Sequence, residues 1–357
     1  MKRPINLILT VLLALGLGFG IYVSVRGQLL ASRIVTVHGV IGSEKEAFFR
    51  DPDVTAALLK HQLKVEFLKA GSREIATRDL SGTDFVFPAG VPASDAVRRR
   101  VKAQQVYDVF YTPVVVASFA PVLRVLEQNA LATAHGSYGT LDLPALLKVM
   151  EAGTRWNALK GAAAYPSSRS VLVTTTDVRT SNSAAMYLGL VSNLLNGNTV
   201  AQASDLPALM PRVSPLFLRQ GYQESSSAGP FEDYQALGAG KTPLVNIYES
   251  QFIEAARDHA LPDGAVLLYP QPGIVTKHVL VPLTPAGSRL GEALTTDPDL
   301  QRLAARAGYR TRDAALFQKQ ANAAGLTVPG TIIDTVDLPS QEVLEAMIST
   351  IQNQYPK

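Results

Sequence analysis

Residues 174–187, TTTDVRTSNSAAMY, place Asp177, Arg179, Thr180, Ser181, Asn182 and Ser183 directly ahead of an apolar segment with helical spacing. One Ser or Asn side chain is enough to cap a helix. Beside the bland reading of a cap and a solvated turn, the surplus reads as a set of ligand-binding groups. Arg179 has the planar fork that grips an anionic group through two parallel hydrogen bonds, Thr180, Ser181 and Asn182 add neutral donors, and Asp177 either meets a ligand or orients Arg179. Two other turns repeat the arrangement: GVIGSEK carries Ser43, and KAGSREI carries Gly71, Ser72 and Arg73, each between an extended run and a helical one. Singly, each reads as a cap. Together they predict a cleft lined by several helix starts, the usual place for a ligand in an open α/β sheet.

Other chemistries find no support. The five histidines, His38, His61, His135, His259 and His278, show neither i, i+4 pairing nor HExxH spacing, so no metal site is expected. The chain has no cysteine, which excludes thiolate ligands, thiol nucleophiles and disulfides. GAGKT (238–242) matches the end of a phosphate-binding loop, but Gln235 stands where the first glycine belongs and Pro243 opens an extended run. There is no G-x-S-x-G nucleophile elbow, and no spacing of carboxylates selects a catalytic pair. No catalytic residue and no cofactor is expected.

The elements that must position the polar turns follow from periodicity. An extended run at 33–42 precedes a helical stretch at 43–62, where Ser43 and Glu46 form a capping-box pattern. A strand at 63–71, a short helix from Ser72, a strand at 83–90 and a helix at 92–105 continue the alternation, which predicts a parallel sheet covered on both faces. The apolar run 106–128, interrupted by Pro113, is long enough to leave one lobe and enter another. Beyond it the pattern reads helix (141–153), strand (168–176), helix (184–197), a Pro-, Gly- and Ser-rich region (198–240) without clear period, and a strand feeding a helix (242–260). Extended runs at 265–272 and 277–283 carry the chain back, and 286–309 and 341–354 are helical.

With 357 residues, 47% of them hydrophobic and 18% charged, the chain is globular in composition and long enough for two lobes. Its formal charge of +3 is matched by Lys2, Arg3 and Arg26, which leaves the body neutral. Arg98, Arg99, Arg100 and Lys102 form the one tight basic cluster and read as a solvated helix face, so no nucleic-acid partner is expected. Residues 5–25 carry no charge and have the length of a bilayer span; with basic residues ahead of them and no small-x-small cleavage site after them, they read as an uncleaved amino-terminal anchor in preference to a cleaved signal. The body is then extracytoplasmic, held at the cytoplasmic membrane.

The order of the pieces resembles the bacterial extracellular solute-binding proteins with the type II periplasmic-binding fold. The resemblance rests on GS (42–43), AGSR (70–73), a crossing strand near YTPVVVASF, the TDVRTSNS helix start, PLVNIYESQF (243–252), LLYPQPGIVTKHVLVPL and the closing DPDLQRLAARAGYR (297–310). It implies an α/β protein of two lobes joined by two crossing strands and preceded by a hydrophobic helix. Residues 1–30 are then the signal or anchor helix, 31–117 with 273–357 lobe I, and 118–272 lobe II. It also implies a small-molecule ligand in the interlobe cleft, an anion being one candidate class, and delivery to the permease of an ABC-type importer. By position, Ser43, Ser72 and Arg73 contact the ligand from the first lobe, and Asp177, Arg179, Thr180, Ser181 and Asn182 from the second; Tyr248, Glu249 and Ser118 are further candidates. An anchored sensory or partner-binding protein of the same fold and a carboxylate-dependent extracytoplasmic enzyme are the alternatives.

Overall fold

The computed structural model describes residues 34–355 apart from Tyr222 and Ile333. The chain opens with β1 (Val35–Ile41), a 3-10 turn (Ser43–Lys45), α1 (Glu46–Arg50), α2 (Pro52–Lys60), β2 (Leu63–Lys69), α3 (Ser72–Thr77), β3 (Phe85–Phe87) and α4 (Val91–Val101). The helix expected over 43–62 is broken because Asp51 caps a new one, accepting from Asp53 N at 2.8 Å ahead of Pro52. β4 (Tyr107–Phe119) runs directly into α5 (Ala120–Gln128), followed by the hairpin β5 (Ala132–His135) and β6 (Tyr138–Asp142), then α6 (Leu143–Glu151) and α7 (Asn182–Leu195). The region without clear period holds α8 (Leu206–Leu218) and α9 (Ala228–Leu237); β7 (Val245–Tyr248), α10 (Glu249–Arg257) and β8 (Ala265–Gln271) follow. β9 (Ile274–Pro282) leads to α11 (Pro285–Thr296), α12 (Pro298–Arg306), α13 (Ala314–Ala323) and α14 (Gln341–Gln352).

The strand order is β2-β1-β3-β9-β4-β8-β6-β5, with β7 also on β4. β1 is parallel to β2 and β3, as the helix-separated strands predict, but β9 is antiparallel to β3 and β4, so the sheet is mixed. β4 is the joint. Its first half pairs with β9 from Tyr107↔Leu280 to Val114↔Ile274, and its second half pairs with β7 and β8. Pro113, which has no N–H to donate, sits just ahead of the first residue paired with β7. The strand expected at 168–176 makes only the isolated bridges Arg155↔Ser170 and Thr174↔Val245.

Apolar side chains sort into separate cores. Phe48, Phe49, Phe85, Phe87, Leu290 and Leu303 fill one around the first sheet, with Val40, Ile75, Val86, Val97 and Val281 as a smaller group; the large cluster around β4, α7 and α8 forms the other. α11 and α12 pack on the first core, whereas α13 and α14 do not. Phe317, Val343, Leu344, Met347, Ile348 and Ile351 join the second core, and Leu338 fits against Gly189 of α7, where a Cβ would lie 2.3 Å from its Cδ2. The i, i+3, i+4 stripe of α14 is legible in sequence, but the surface it covers is not. Among the described residues no helix is long and apolar enough to cross a membrane, and the apolar span 5–25 lies outside them.

If α14 is part of the second core, Met347→Ala should lower the unfolding free energy by about 2–5 kcal/mol. Urea denaturation checks this; a loss under about 0.5 kcal/mol, as for a surface substitution, would show that α14 is not integral.

Candidate functional site

Turns after β1 and β2 and turns beyond residue 180 line one cavity of about 10 Å³, the space of roughly one water. Ser43, Glu44, Ala70, Gly71 and Ser72 line it from one side, and Ser181, Asn182, Ser225, Ser226, Ser227 and Tyr248 from the other. Besides the short α3, which starts at Ser72, three helices begin here: Ser181 precedes α7, Ser227 precedes α9 and Tyr248 precedes α10. Helix starts present unpaired N–H groups and the positive end of the helix dipole, so their convergence favours an acceptor-rich or anionic group. Neither the Ser181 nor the Ser227 side chain caps its own helix. Ser181 Oγ instead lies 3.0 Å from Ser183 Oγ, which lies 2.9 Å from Thr176 Oγ1, a chain of hydroxyls leading into the wall. Asn182 Nδ2 donates to the Tyr248 hydroxyl at 3.1 Å, and Ser72 Oγ accepts from Ala89 N at 2.8 Å.

Close approach depends on two glycines. A Cβ on Gly71 would stand 2.5 Å from the Thr180 carbonyl oxygen, and one on Gly90, at φ +90, 2.5 Å from Asn182 Oδ1. Arg73 Nε donates to the Arg179 carbonyl at 3.0 Å across the same seam. A second cavity of about 400 Å³ shares Ser43 and Glu44 with the first and is flanked by Glu46, Arg50, Glu254 and Asp258.

Behind Ser43 lies a buried charged cluster. Lys45 and His278 are fully buried, Lys45 Nζ is 3.0 Å from His278 Nδ1, and Lys45 pairs with Glu44. Burial pushes the Glu44 carboxyl up, but Lys45 and His278 overcome that and hold it down at about 2. Burial, with Lys45 adding to it, lowers His278 to about 4. The imidazole is therefore neutral, with Nδ1 accepting from the Lys45 ammonium; Nε2 then carries the proton and has no partner among the described residues. Tyr309 donates to the Glu44 carbonyl at 2.7 Å and Tyr248 packs on the imidazole edge, fixing the cluster against the cavity.

Of the residues singled out from sequence, the structure brings Ser43, Ser72, Ser181, Asn182 and Tyr248 to one cavity. Arg179 is not among its lining: the guanidinium forks onto Asp177, with Nε 2.9 Å from both carboxylate oxygens, and lies 4.7 Å from the Tyr355 ring centroid, its side chain 43% exposed. The acid two positions earlier satisfies it locally, so Asp177 orients Arg179, one of the two roles its position allows. Arg73 forks onto Glu345 of α14. Thr180 gives its carbonyl to the contact with Gly71, and its hydroxyl lies 3.3 Å from the Ser225 carbonyl. Ser118 is buried in the second core and donates to the Pro243 carbonyl at 2.9 Å. Glu249 is also buried, receiving Arg310 through two bonds of 2.7 Å and the Tyr269 hydroxyl. Sequence reasoning misses Glu44, Lys45, His278 and Ser225–Ser227; the SSS run ahead of a helical segment is the available signal.

No protein-family model and no curated protein matches the chain. Solved structures do. A periplasmic thiamin-binding protein superposes with TM-score 0.57 at 12% identity, covering 90% of this chain and 96% of that one. Iron-bound HitA from Pseudomonas aeruginosa gives 0.57 at 10%, over 89% and 99%. The sulfate-binding protein SubI from Mycobacterium tuberculosis gives 0.52 at 15%, over 90% and 100%. The fold is that of the type II periplasmic solute-binding proteins. β4, read in sequence as a crossing strand, pairs antiparallel with β9, and Tyr248 of the serine-lined cavity stands opposite Val114 of β4.

The charged cluster makes stability depend on pH. His278 titrates near 4 in the folded chain against its usual 6.5, so stability present above about pH 6.5 is lost as pH falls toward 4; Glu44 adds a loss of the same sign below its usual 4.5. Glu254 opposes both, because burial, with Asp258 and Asp51 adding, raises it to about 7 and its contribution falls as pH rises from 4.5 to 7. The comparison that isolates His278 is between variants. Between pH 7.5 and 5, His278→Gln should gain about 2 kcal/mol on the wild type in urea denaturation. Parallel pH profiles would mean that His278 titrates normally.

Proposed function

We propose that this chain is an extracytoplasmic solute-binding protein that closes on a small ligand between its two units and presents it to the permease of an ABC-type importer. The observation that carries this reading is the convergence of three helix starts and a set of hydroxyls on one seam between units joined by two antiparallel strands. In this proposal β4 and β9 are the hinge, residues 34–117 with 273–312 form one lobe, and 118–272 with the α13–α14 tail form the other. A ligand that touches both lobes only when they close shifts the open-to-closed equilibrium by its differential affinity for the two states.

The ligand's acceptor-rich end, an anion in the simplest case, sits at the starts of α7, α9 and α10 and takes hydrogen bonds from Ser72, Ser181, Asn182 and Ser227. The inner cavity is small, and the carboxylate-flanked outer one gives room for a remainder that carries donors or positive charge. Retention of the ligand unchanged, in one copy per chain, is expected in place of turnover. The apolar amino-terminal segment holds the body at the membrane surface in this reading.

A thermal-shift panel of oxyanions, small carboxylates and amino acids, followed by native mass spectrometry, tests it. A ligand at 100 times its Kd adds about 2.7 kcal/mol of stability. Asn182→Ala should weaken the best binder by about 1–3 kcal/mol. Gly71→Val should weaken it too by holding the Thr180 carbonyl away, whereas Arg179→Ala should leave the affinity within about 0.5 kcal/mol. No shift with any member of the panel, or a loss on Arg179→Ala equal to that on Asn182→Ala, would reject the site.

A further inference from the structure

A further cavity, of about 510 Å³, is lined only by residues between 155 and 243. Ser168, Arg169 and Ser170 line it, at the opposite end of segment 168–181 from Ser181 and the serine-lined cavity. Three arginines face it: Arg155, Arg169 and Arg219. Each is fixed by backbone carbonyls. Arg155 Nη1 donates to Ser168 O at 2.9 Å, Arg169 Nη1 to Gly240 O and Lys241 O at 2.8 Å, and Arg219 to Pro215 O at 3.0 Å through Nε and Met150 O at 2.8 Å through Nη2. A guanidinium has five N–H groups, so every one of the three retains donors beyond these contacts.

No carboxylate answers them. Among the described residues none of the three forms an ion pair, and no Asp or Glu lines the cavity. Several other arginines are paired, Arg50 with Glu46, Arg179 with Asp177, Arg212 with Glu151 and Arg306 with Asp51 and Asp53; exposed Arg99, Arg100, Arg124, Arg289 and Arg312 form no ion pair among the described residues either, but none of them shares a cavity with two further arginines. The hydroxyls of Ser170 and Thr174 add neutral donors, and Trp156, in the wall, keeps a buried indole N–H with no acceptor among the described residues. Three like charges held around one concavity repel each other, and an anion with several acceptor oxygens relieves that repulsion while filling the forks.

We infer that the Arg155–Arg169–Arg219 cavity is a second binding site, for a phosphate-bearing ligand, separate from the interlobe cleft. Its volume lies in the range of small-molecule sites. The phosphate comes either from a soluble molecule or from the headgroup of an anionic lipid at the membrane surface, and both offer the same oxygens to the same forks.

The site is tested on the chain from residue 34 onward by calorimetric titration with inorganic pyrophosphate at fixed ionic strength, and by sedimentation with phosphatidylglycerol vesicles. Saturable binding of one pyrophosphate is expected, weakened at least about tenfold by Arg169→Ala and by Ser168→Asp, which places a negative charge on the rim, and only partly by Arg169→Lys. Asn182→Ala should leave it unchanged, which separates this site from the interlobe one. Vesicle binding that needs Arg169, without pyrophosphate binding, assigns the phosphate to lipid and supports the same site. Absence of both, or equal binding by wild type, Arg169→Ala and Ser168→Asp, overturns the inference, as does loss of pyrophosphate binding in Asn182→Ala.

Discussion

The pairing of β4 with β9 is the constraint on which the remaining architecture depends. Eight residues of β4, Tyr107 to Val114, run against β9 before the strand passes to β7 and β8, so one continuous backbone belongs to both parts of the sheet. The cores on either side stay separate: aromatic side chains from α1, β3 and β4 with the apolar face of α12 on one, the α7–α8–α14 packing on the other. In the proposed reading these two bodies bend about the antiparallel pair with both cores intact, and the ligand meets both at the seam beside it.

What lines that seam follows from the same geometry. Strand ends and loops arrive beside the joint, and helices leave from it, so Ser72, Ser181, Ser227 and Tyr248 all stand at helix starts. Gly71 and Gly90 permit backbone and side chain from the other unit to come within contact distance. The Glu44–Lys45–His278 cluster costs desolvation, and burying an ion pair is a poor way to gain stability. Its position directly behind Ser43 fixes the turn that delivers Ser43 and Glu44 to the cavity.

The fold is legible in the sequence where local rules and tertiary structure agree. Strands β1, β2 and β4 and the helices after Ser72 and Ser181 follow from periodicity or caps, and the strand feeding a helix over 242–260 is β7 with α10. Ser43, Ser72, Ser181 and Asn182 are readable as cavity residues because a polar turn between strand and helix has few other places to point. Arg179 escapes the expectation because its competitor, Asp177, is local, and a bidentate fork within two residues outcompetes a longer reach. Ser225–Ser227 sit in a region without period, and His278 lies in a strand where nothing in the sequence separates a buried imidazole from an exposed one. The tail departs for a different reason: α14 has a clear apolar stripe, yet a stripe names no partner.

The central claim is that both units grip one solute at the seam beside β4 and β9. Amide hydrogen exchange, with and without a saturating amount of the best binder from the panel, tests it most directly. Protection should rise together at the start of α3 (72–75) in one unit and at the starts of α7 (182–185) and α9 (228–231) in the other. Protection confined to a single unit, or absent from all three helix starts, would contradict the account.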